Sequence, residues 1–265
     1  MPYLSKIALN PHRRSAPSLL ANPHRMHATL LAGLAVQPVT ERVLWRLENN
    51  NPHRAELLVL TDSRPSWSHL VEQAGWPGAD HSAPLIADYT PLLDRITPGR
   101  EFAFRLTANP VQSLRHPTKL SPAQAEQRAE QDARTGTAAE RRIRGFRVPH
   151  RTAGQQLHWL LDRTDRHGFT IPATGEPAPP PALGLGEPGL PAPAVALTAR
   201  DILRFSKRQN GPRLTLSTAT YQGRLRVTDP DLLRHTLLQG IGPAKAYGQG
   251  LLTLAPLSRE DGHHA

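Results

Sequence analysis

Residues 3–9 read Tyr-Leu-Ser-Lys-Ile-Ala-Leu, and apolar side chains at alternate positions predict a β-strand close to the start of the chain. Asn22 and Pro23 then suit the N-cap and first position of a helix. The next segments are predicted as two strands, a short helix and a strand, at 42–47, 56–61, 65–78 and 101–108. This order is the βαββαβ pattern of a ferredoxin-like domain.

The second half of the chain repeats the pattern. A helix is predicted at 152–166, strands at 195–205 and 213–228, a helix at 229–239 and a final strand at 251–257. We therefore expect an α+β protein with two tandem ferredoxin-like (RRM-like) domains. The expected division is a first domain at 1–116, an insertion or linker at 117–150, and a second domain at 151–258 that includes a flexible Pro/Gly-rich loop at 172–193.

The amino-acid composition limits the classes of protein to which the chain can belong. The 265 residues carry 32 Lys and Arg against 22 Asp and Glu, a formal net charge of +10. This balance favours a nucleic acid, an anionic membrane or an acidic partner, although high arginine use in a GC-rich genome produces the same balance. The absence of cysteine excludes disulfides and thiolate metal sites. No apolar run spans a bilayer and no signal peptide is visible, so we expect a cytoplasmic protein.

The first candidate for chemistry is the segment Asn-Pro-His-Arg-Met-His at 22–27, which places His24 and His27 one helical turn apart. Two histidines at this spacing can bind a metal only with a further ligand, and no acidic motif lies nearby. Histidine also serves as acid or base at neutral pH, which RNA cleavage requires when the 2′-hydroxyl is deprotonated and the 5′-oxygen is protonated. Two surface histidines without a role are the alternative.

The second candidate is the glycine-rich loop at 240–250, which carries Lys245 and the four glycines Gly240, Gly242, Gly248 and Gly250. It matches neither the Rossmann nor the P-loop pattern, and it leads from a helix into a strand rather than from a strand into a helix. Glycines permit a backbone to pass close to a sheet or to RNA. A tight structural turn is the alternative.

Basic residues cluster on the hairpin predicted at 195–221. A two-stranded basic ribbon can enter a groove or contact a phosphate backbone, and a solvated surface hairpin is the alternative. The members of this cluster are Arg200, Arg204, Lys207, Arg208 and Arg213. A second basic cluster at 141–151 is similar, and a flexible region is the alternative there. Because only 5% of the residues are aromatic, we expect structured RNA to be bound through phosphate and shape rather than by base stacking.

Four blocks of sequence, in this order, resemble the CasE (Cse3) family of CRISPR RNA endoribonucleases from type I-E systems. They are Tyr-Leu-Ser-Lys-Ile at 3–7, Asn-Pro-His-Arg-Met-His at 22–27, Phe-Arg-Leu-Thr-Ala-Asn-Pro at 104–110, and the segment from Gly-Ile-Gly-Pro-Ala-Lys at 240–245 through residue 256.

The resemblance implies a double ferredoxin-like fold of the RAMP superfamily. It also implies cleavage of precursor CRISPR RNA at the 3′ base of the repeat hairpin, by attack of the RNA's own 2′-hydroxyl and without a metal or other cofactor. The expected partners are the repeat hairpin RNA and the other Cascade subunits, and the free protein is expected to be a monomer.

The resemblance also assigns residues. His27 falls on the family's catalytic histidine, and His24 stands where some members have a supporting tyrosine, so we expect both in catalysis. Arg204, Lys207, Arg208 and Arg213 lie where members insert arginines into the hairpin groove, and the glycine loop with Lys245 is expected close to the RNA and between the domains. The alternatives are a non-catalytic RNA-binding subunit and a basic scaffold for an acidic protein.

Overall fold

The computed structural model describes residues 1–79, 83–114, 125–126, 129, 145–177, 191–208 and 211–257. The helices are α1 (Ala16–Leu20), α2 (Pro23–Leu31), α3 (Ser68–Ala74), α4 (Thr90–Asp94), α5 (Ala153–Leu161) and α6 (Pro230–Gln239). Among the described residues, every helix falls short of the length and apolarity that crossing a bilayer requires.

The strands form two antiparallel sheets and two short ladders. They are β1 (Tyr3–Leu9), β2 (Leu44–Asn51), β3 (Arg54–Thr61), β4 (Leu85–Asp88), β5 (Glu101–Ala108), β6 (Val111–Leu114), β7 (Phe146–Pro149), β8 (Phe169–Thr170), β9 (Ala173–Pro177), β10 (Pro191–Pro193), β11 (Val195–Ser206), β12 (Arg213–Val227) and β13 (Leu252–Ala255). The first sheet has the order β2-β3-β1-β4, and the second has the order β11-β12-β5-β13 with β8 beside β12. Both orders are those of a ferredoxin-like sheet, as the sequence predicts.

The domain division differs from the one expected from sequence. β5 pairs with β12 and β13, so the predicted strand at 101–108 belongs to the second sheet and not to the first. The short strand β4 completes the first sheet instead, beside β1. The two sheets therefore divide between Asp88 and Glu101, not at residue 116.

The expected insertion at 117–150 lies largely outside the described residues. Its end is a strand, because β7 pairs with β6 in a two-stranded ladder. The ends of the Pro/Gly-rich segment at 172–193 also pair, as β9 and β10, and residues 178–190 lie outside the described residues. The two ends of the expected flexible loop are therefore a short two-stranded ladder.

The first core lies between one face of the first sheet and its helices. Strand alternation directs Ile7, Trp45 and Val59 toward α2 and α3, where Met26 and Trp67 are buried. The local start of α2 follows from its sequence, because the Asn22 side chain accepts hydrogen bonds from the backbone N–H groups of residues 24 and 25. This core fixes the helix that carries His24 and His27.

The second core joins the two domains. Leu44 and Leu60, on the opposite face of the first sheet, belong to the same buried cluster as Phe102, Leu157 and Leu237 of the second domain. The two ferredoxin-like units therefore share apolar contacts rather than being connected by a linker alone.

A buried polar network also joins the two sheets. Arg46 on β2 donates from Nη1 to the backbone oxygens of Arg105 (3.1 Å) and Leu251 (3.0 Å), and from Nη2 to Thr253 Oγ1 at 2.9 Å. Glu48 completes the network with 2.6 Å contacts to both Arg46 and Arg105. Burial lowers the pKa of Arg46, and its attraction to Glu48 opposes that shift. These bonds fix the strands of one domain against those of the other.

Candidate functional site

The candidate site begins at the imidazole of His27, on the second turn of α2. The ring is half-buried, and its Nδ1 atom is buried with no hydrogen-bond partner among the described residues. A buried polar atom without a partner costs free energy, and a ligand or water that bonds to it recovers that cost. His27 therefore differs from a simple surface histidine, which was the alternative.

The electrostatic surroundings of His27 are cationic. Burial lowers the pKa of His27 below its ordinary value, and the positive charges of His24 and Arg42 lower it further. Burial likewise lowers the pKa of Lys245, and Arg42 again contributes. His24 and Arg42 both contribute to the shift at His27, and Arg42 also contributes at Lys245, so the structure places Arg42 near both groups, while His24 and His27 share α2 as the sequence predicts. Within the described ranges, no three His, Asp or Glu side chains come together as a metal-binding group.

Arg42 is a residue that sequence reasoning missed, because it marks only the start of a predicted strand. It is exposed and lies just before β2, which begins at Leu44. Nothing in its local sequence distinguishes it from the other arginines, because its position beside His27 and Lys245 results from the tertiary fold.

The pKa of His27 gives a testable prediction about Arg42. Removing a positive neighbour makes the imidazolium less unfavourable, so Arg42→Gln should raise the pKa of His27. In single-turnover cleavage of a repeat RNA, the inflection in kcat/KM that belongs to His27 should move to higher pH. Arg64→Gln is the control, because Arg64 is an exposed arginine near Tyr3 that is not among the charges lowering the pKa of His27. An unchanged or lowered inflection would contradict this account of the site.

The basic hairpin docks beside α2. Asn22 Nδ2 donates to the backbone oxygen of Ser206 at 3.1 Å, and the ring of Phe205 lies 4.9 Å from that of Tyr247 in the glycine loop. Arg213 lies opposite Ser206 in the ladder, and Arg204 lies two residues earlier on the same face. The exposed cations of the hairpin, Arg204, Lys207, Arg208 and Arg213, form no ion pair with any described residue.

Arg200, the remaining member of the hairpin cluster, is already engaged. Its guanidinium donates from Nε to Gln156 Oε1 at 2.8 Å and from Nη2 to the backbone oxygen of Arg151. It therefore connects the hairpin to α5 and to the segment before it, and it is less available for a ligand than its neighbours.

The glycine loop crosses between the two domains. Gly240, Gly242, Gly248 and Gly250 all have positive φ, and so does Ala244. A Cβ at Gly240 would lie 2.9 Å from the side chain of Leu44 in the first sheet, and one at Gly242 would lie 2.9 Å from the Trp159 ring of α5. The expected position between the domains is therefore confirmed.

The expected RNA contact is revised for three of these glycines. Gly240, Gly248 and Gly250 are buried by protein, and Gly250 N–H is already bonded to the backbone oxygen of Thr107 at 2.7 Å. These three glycines pack against the protein interior and set the path of the loop, whereas Gly242 and Lys245 remain partly exposed. Direct RNA contact by this loop is thus expected from residues 242–247.

Gly248 offers a matched test of this structural role. Its φ is +76° and a Cβ would lie 2.8 Å from Trp45 Cζ3, whereas Gly78 has φ +75° and open space around it. Both alanine variants incur the left-handed backbone cost of about 1–2 kcal/mol. We expect Gly248→Ala to lower the free energy of unfolding by more than Gly78→Ala does, as measured by urea denaturation. Equal losses would show that Trp45 imposes no restriction there.

Comparisons with known proteins agree with this arrangement. The sequence profile of a family described as CRISPR associated protein matches residues 2–256. The CRISPR-associated endoribonuclease Cse3 of Thermus thermophilus is 31% identical over 264 residues, which cover 96% of this chain and 100% of that protein. The CRISPR system Cascade subunit CasE of Escherichia coli is 24% identical over 222 residues, covering 81% of this chain and 89% of that protein.

A solved structure extends the likeness to three dimensions. Thermus thermophilus Cse3 bound to an RNA representing a pre-cleavage complex is similar with a TM-score of 0.67 and 29% identity, covering 96% of this chain and 99% of that one. A family profile that spans nearly the whole chain and a full-length relative above 30% identity show that the chain belongs to the CasE (Cse3) family of CRISPR-associated proteins.

Proposed function

We propose that the chain is an endoribonuclease that cleaves precursor CRISPR RNA at the 3′ base of the repeat hairpin and stays bound as a subunit of Cascade. The observation that carries this proposal is the position of the His27 imidazole. The ring is half-buried, and its Nδ1 has no partner among the described residues. Cationic residues lie near it, on the helix beside which the basic hairpin docks. Relatives named as a CRISPR-associated endoribonuclease and as a Cascade subunit support the reaction and the assembly.

The chemistry follows from the groups present. The 2′-oxygen of the RNA loses its proton and attacks the adjacent phosphorus, and the bond from phosphorus to the 5′-oxygen breaks. The products are a 2′,3′-cyclic phosphate and a 5′-hydroxyl, which receives a proton. His27 is the group that moves a proton, as base, acid or both. Because the nucleophile belongs to the substrate, the reaction needs no metal-bound water.

The cations have a separate role. The phosphorane-like transition state carries more negative charge on its oxygens than the ground state, so fixed positive groups beside it lower the barrier. Arg42 is close enough to lower the pKa of both His27 and Lys245, and His24 lies one turn earlier on α2. His24 stands where some family members have a tyrosine, and we assign it a hydrogen bond to the scissile phosphate or a share of the proton transfer.

Substrate selection is assigned to the hairpin. Arg204, Lys207 and Arg208, with Arg213 on the facing strand, are free to bind phosphates and the groove of an RNA stem. The same hairpin contacts α2 through Asn22, so a bound stem would present its base near His27. Such a substrate places the protein in the cytoplasm, where precursor transcripts are processed.

The test uses an RNA that carries the CRISPR repeat of the source genome with flanks on both sides. Incubation with the protein in EDTA, followed by a denaturing gel, should yield two fragments, the upstream one ending in a cyclic phosphate. Binding without cleavage would favour a non-catalytic RNA-binding subunit. Cleavage abolished in EDTA and restored by a divalent metal would instead support a metal site at His24 and His27.

A further inference from the structure

The tetrapeptide Asn-Pro-His-Arg occurs three times in the first 54 residues, at 10–13, 22–25 and 51–54. All three copies share one local hydrogen bond, although the first and third form turns and the second begins α2. The asparagine Oδ1 accepts a hydrogen bond from the backbone N–H of the histidine two residues later, at 3.0, 3.0 and 2.8 Å. The proline restricts φ within each turn. The middle copy begins α2 of the candidate site, and the other two copies have no role so far.

Strand pairing brings the first and third copies together. Leu9 pairs with Ala55, so the end of β1 lies beside the turn between β2 and β3. His12 Nε2 and His53 Nδ1 are 3.3 Å apart, and the centroids of the two rings are 5.5 Å apart. Two segments that are 41 positions apart in the sequence thus present one paired imidazole group.

The middle copy lies at the same end of the first sheet. Pro23 of that copy and Asn49, two residues before the third copy, line one cavity of about 390 Å³. Asn22 also contacts the basic hairpin through Ser206. The middle copy and the residues before the third copy therefore border one cavity, whose lining also includes Ala199 and Leu203 of the hairpin, so the surface around it joins these segments to the hairpin.

This surface has more positive than negative charge. Arg14 and Arg25 are exposed and form no ion pair with a described residue, and Arg54 is exposed, with its nearest carboxylate, that of Glu56, at 3.7 Å. The carboxylates of the neighbouring strands are already engaged, since Glu48 contacts Arg46 and Arg105 while Glu56 contacts Lys6 at 2.8 Å. An anionic ligand would meet little opposing charge there.

We propose that His12, Arg14, His53 and Arg54, named here the His12/His53 surface, bind a stretch of RNA phosphodiester backbone beyond the part held by the basic hairpin. Imidazole and guanidinium N–H groups donate to phosphate oxygens, and such contacts hold the RNA without reading its sequence. Two exposed imidazoles and two exposed guanidinium groups on neighbouring turns suit a ligand that carries one phosphate per nucleotide. This inference rests on the proposed function for the identity of the ligand.

The experiment measures the affinity of a repeat RNA that carries a 2′-deoxynucleotide at the cut site and therefore stays intact. Fluorescence anisotropy gives Kd over a series of KCl concentrations for His12→Gln/His53→Gln and for Arg14→Gln/Arg54→Gln. We expect Kd to rise about three- to tenfold for each pair. The slope of log Kd against log salt should become shallower by about 0.7 for each phosphate that the variant no longer binds.

Three controls make the result decisive. Arg64→Gln removes an exposed arginine at the opposite end of β1, and Arg208→Gln removes one from the hairpin. Thermal unfolding shows whether every variant is folded. If both pair variants bind the RNA with the same affinity and salt slope as Arg64→Gln, the inference is overturned. It is also overturned if the pair variants lose binding only to an acidic polypeptide such as polyglutamate. If the wild-type protein binds RNA but does not cleave it, the proposed function fails while the His12/His53 surface is still tested.

Discussion

His27→Ala should lower the rate of single-turnover cleavage by about 100- to 10,000-fold, because general acid–base catalysis contributes a factor of this size. The affinity for the repeat RNA should change little, since the basic hairpin and Lys245 supply the phosphate contacts. Cleavage is measured with RNA labelled at its 5′ end and enzyme in excess, and binding is measured with the 2′-deoxy substrate. Full cleavage by this variant would remove His27 from the mechanism.

His24→Ala is the matched control, since it removes an imidazole one turn away on the same helix. If His24 only contacts the phosphate or shares the proton transfer, its loss should be smaller than that of His27→Ala. A larger loss at His24 would exchange the assigned roles. Added imidazole restoring part of the rate in His27→Ala would identify the missing group as a proton carrier rather than a structural contact.

Arg46→Met should lower the free energy of unfolding by about 3 kcal/mol or more, because removing one partner from a buried ion pair leaves the remaining polar groups unsatisfied. The backbone oxygens of Arg105 and Leu251 and the hydroxyl of Thr253 would lose their donor. Urea denaturation followed by tryptophan fluorescence measures the loss.

The control for this prediction is an ion pair of the same length on the surface. Arg226 contacts Glu101 at 2.6 Å, but its side chain is 53% exposed. Arg226→Met should therefore cost only about 0–1 kcal/mol. If Arg46→Met cost no more than Arg226→Met, the polar network between the sheets would contribute nothing measurable beyond the apolar contacts there.

Local sequence signals predict the individual elements of this fold well. The Asn22 cap and Pro23 correctly place the start of α2, and Asp229 and Pro230 do the same for α6. These signals succeed because capping depends on residues only two or three positions apart. The turn between β11 and β12 lies where the sequence predicts it for the same reason.

The pairing of the strands is harder to predict from the sequence than the strands themselves. The alternation at 101–108 predicts β5 correctly, but alternation records which face of a strand is buried and not which sheet receives it. Sequence patterns do not reveal β4, because an exposed edge strand of four residues, with Leu85 67% exposed, lacks an alternating pattern. The wrong boundary at residue 116 follows from these two points.

For the candidate site, too, the sequence predicts local features better than tertiary contacts. The histidine spacing on one helix suggests His24 and His27, and the family resemblance selects His27. Neither reveals Arg42 beside them, because that contact depends on how the start of β2 meets α2 and the loop. The sequence marks the glycines as special, but only the packing shows that protein fills the space beside Gly240, Gly248 and Gly250.

The network at Arg46 has a consequence for where the RNA is cut. His27 belongs to the first domain, and the hairpin that we propose binds the stem belongs to the second. Arg46 and Glu48 hold the sheets of these domains in one fixed orientation. The separation between stem contact and scissile bond is then a length set by the protein. Guide RNAs matured by such an enzyme would carry 3′ ends of uniform length, whatever spacer sequence lies upstream.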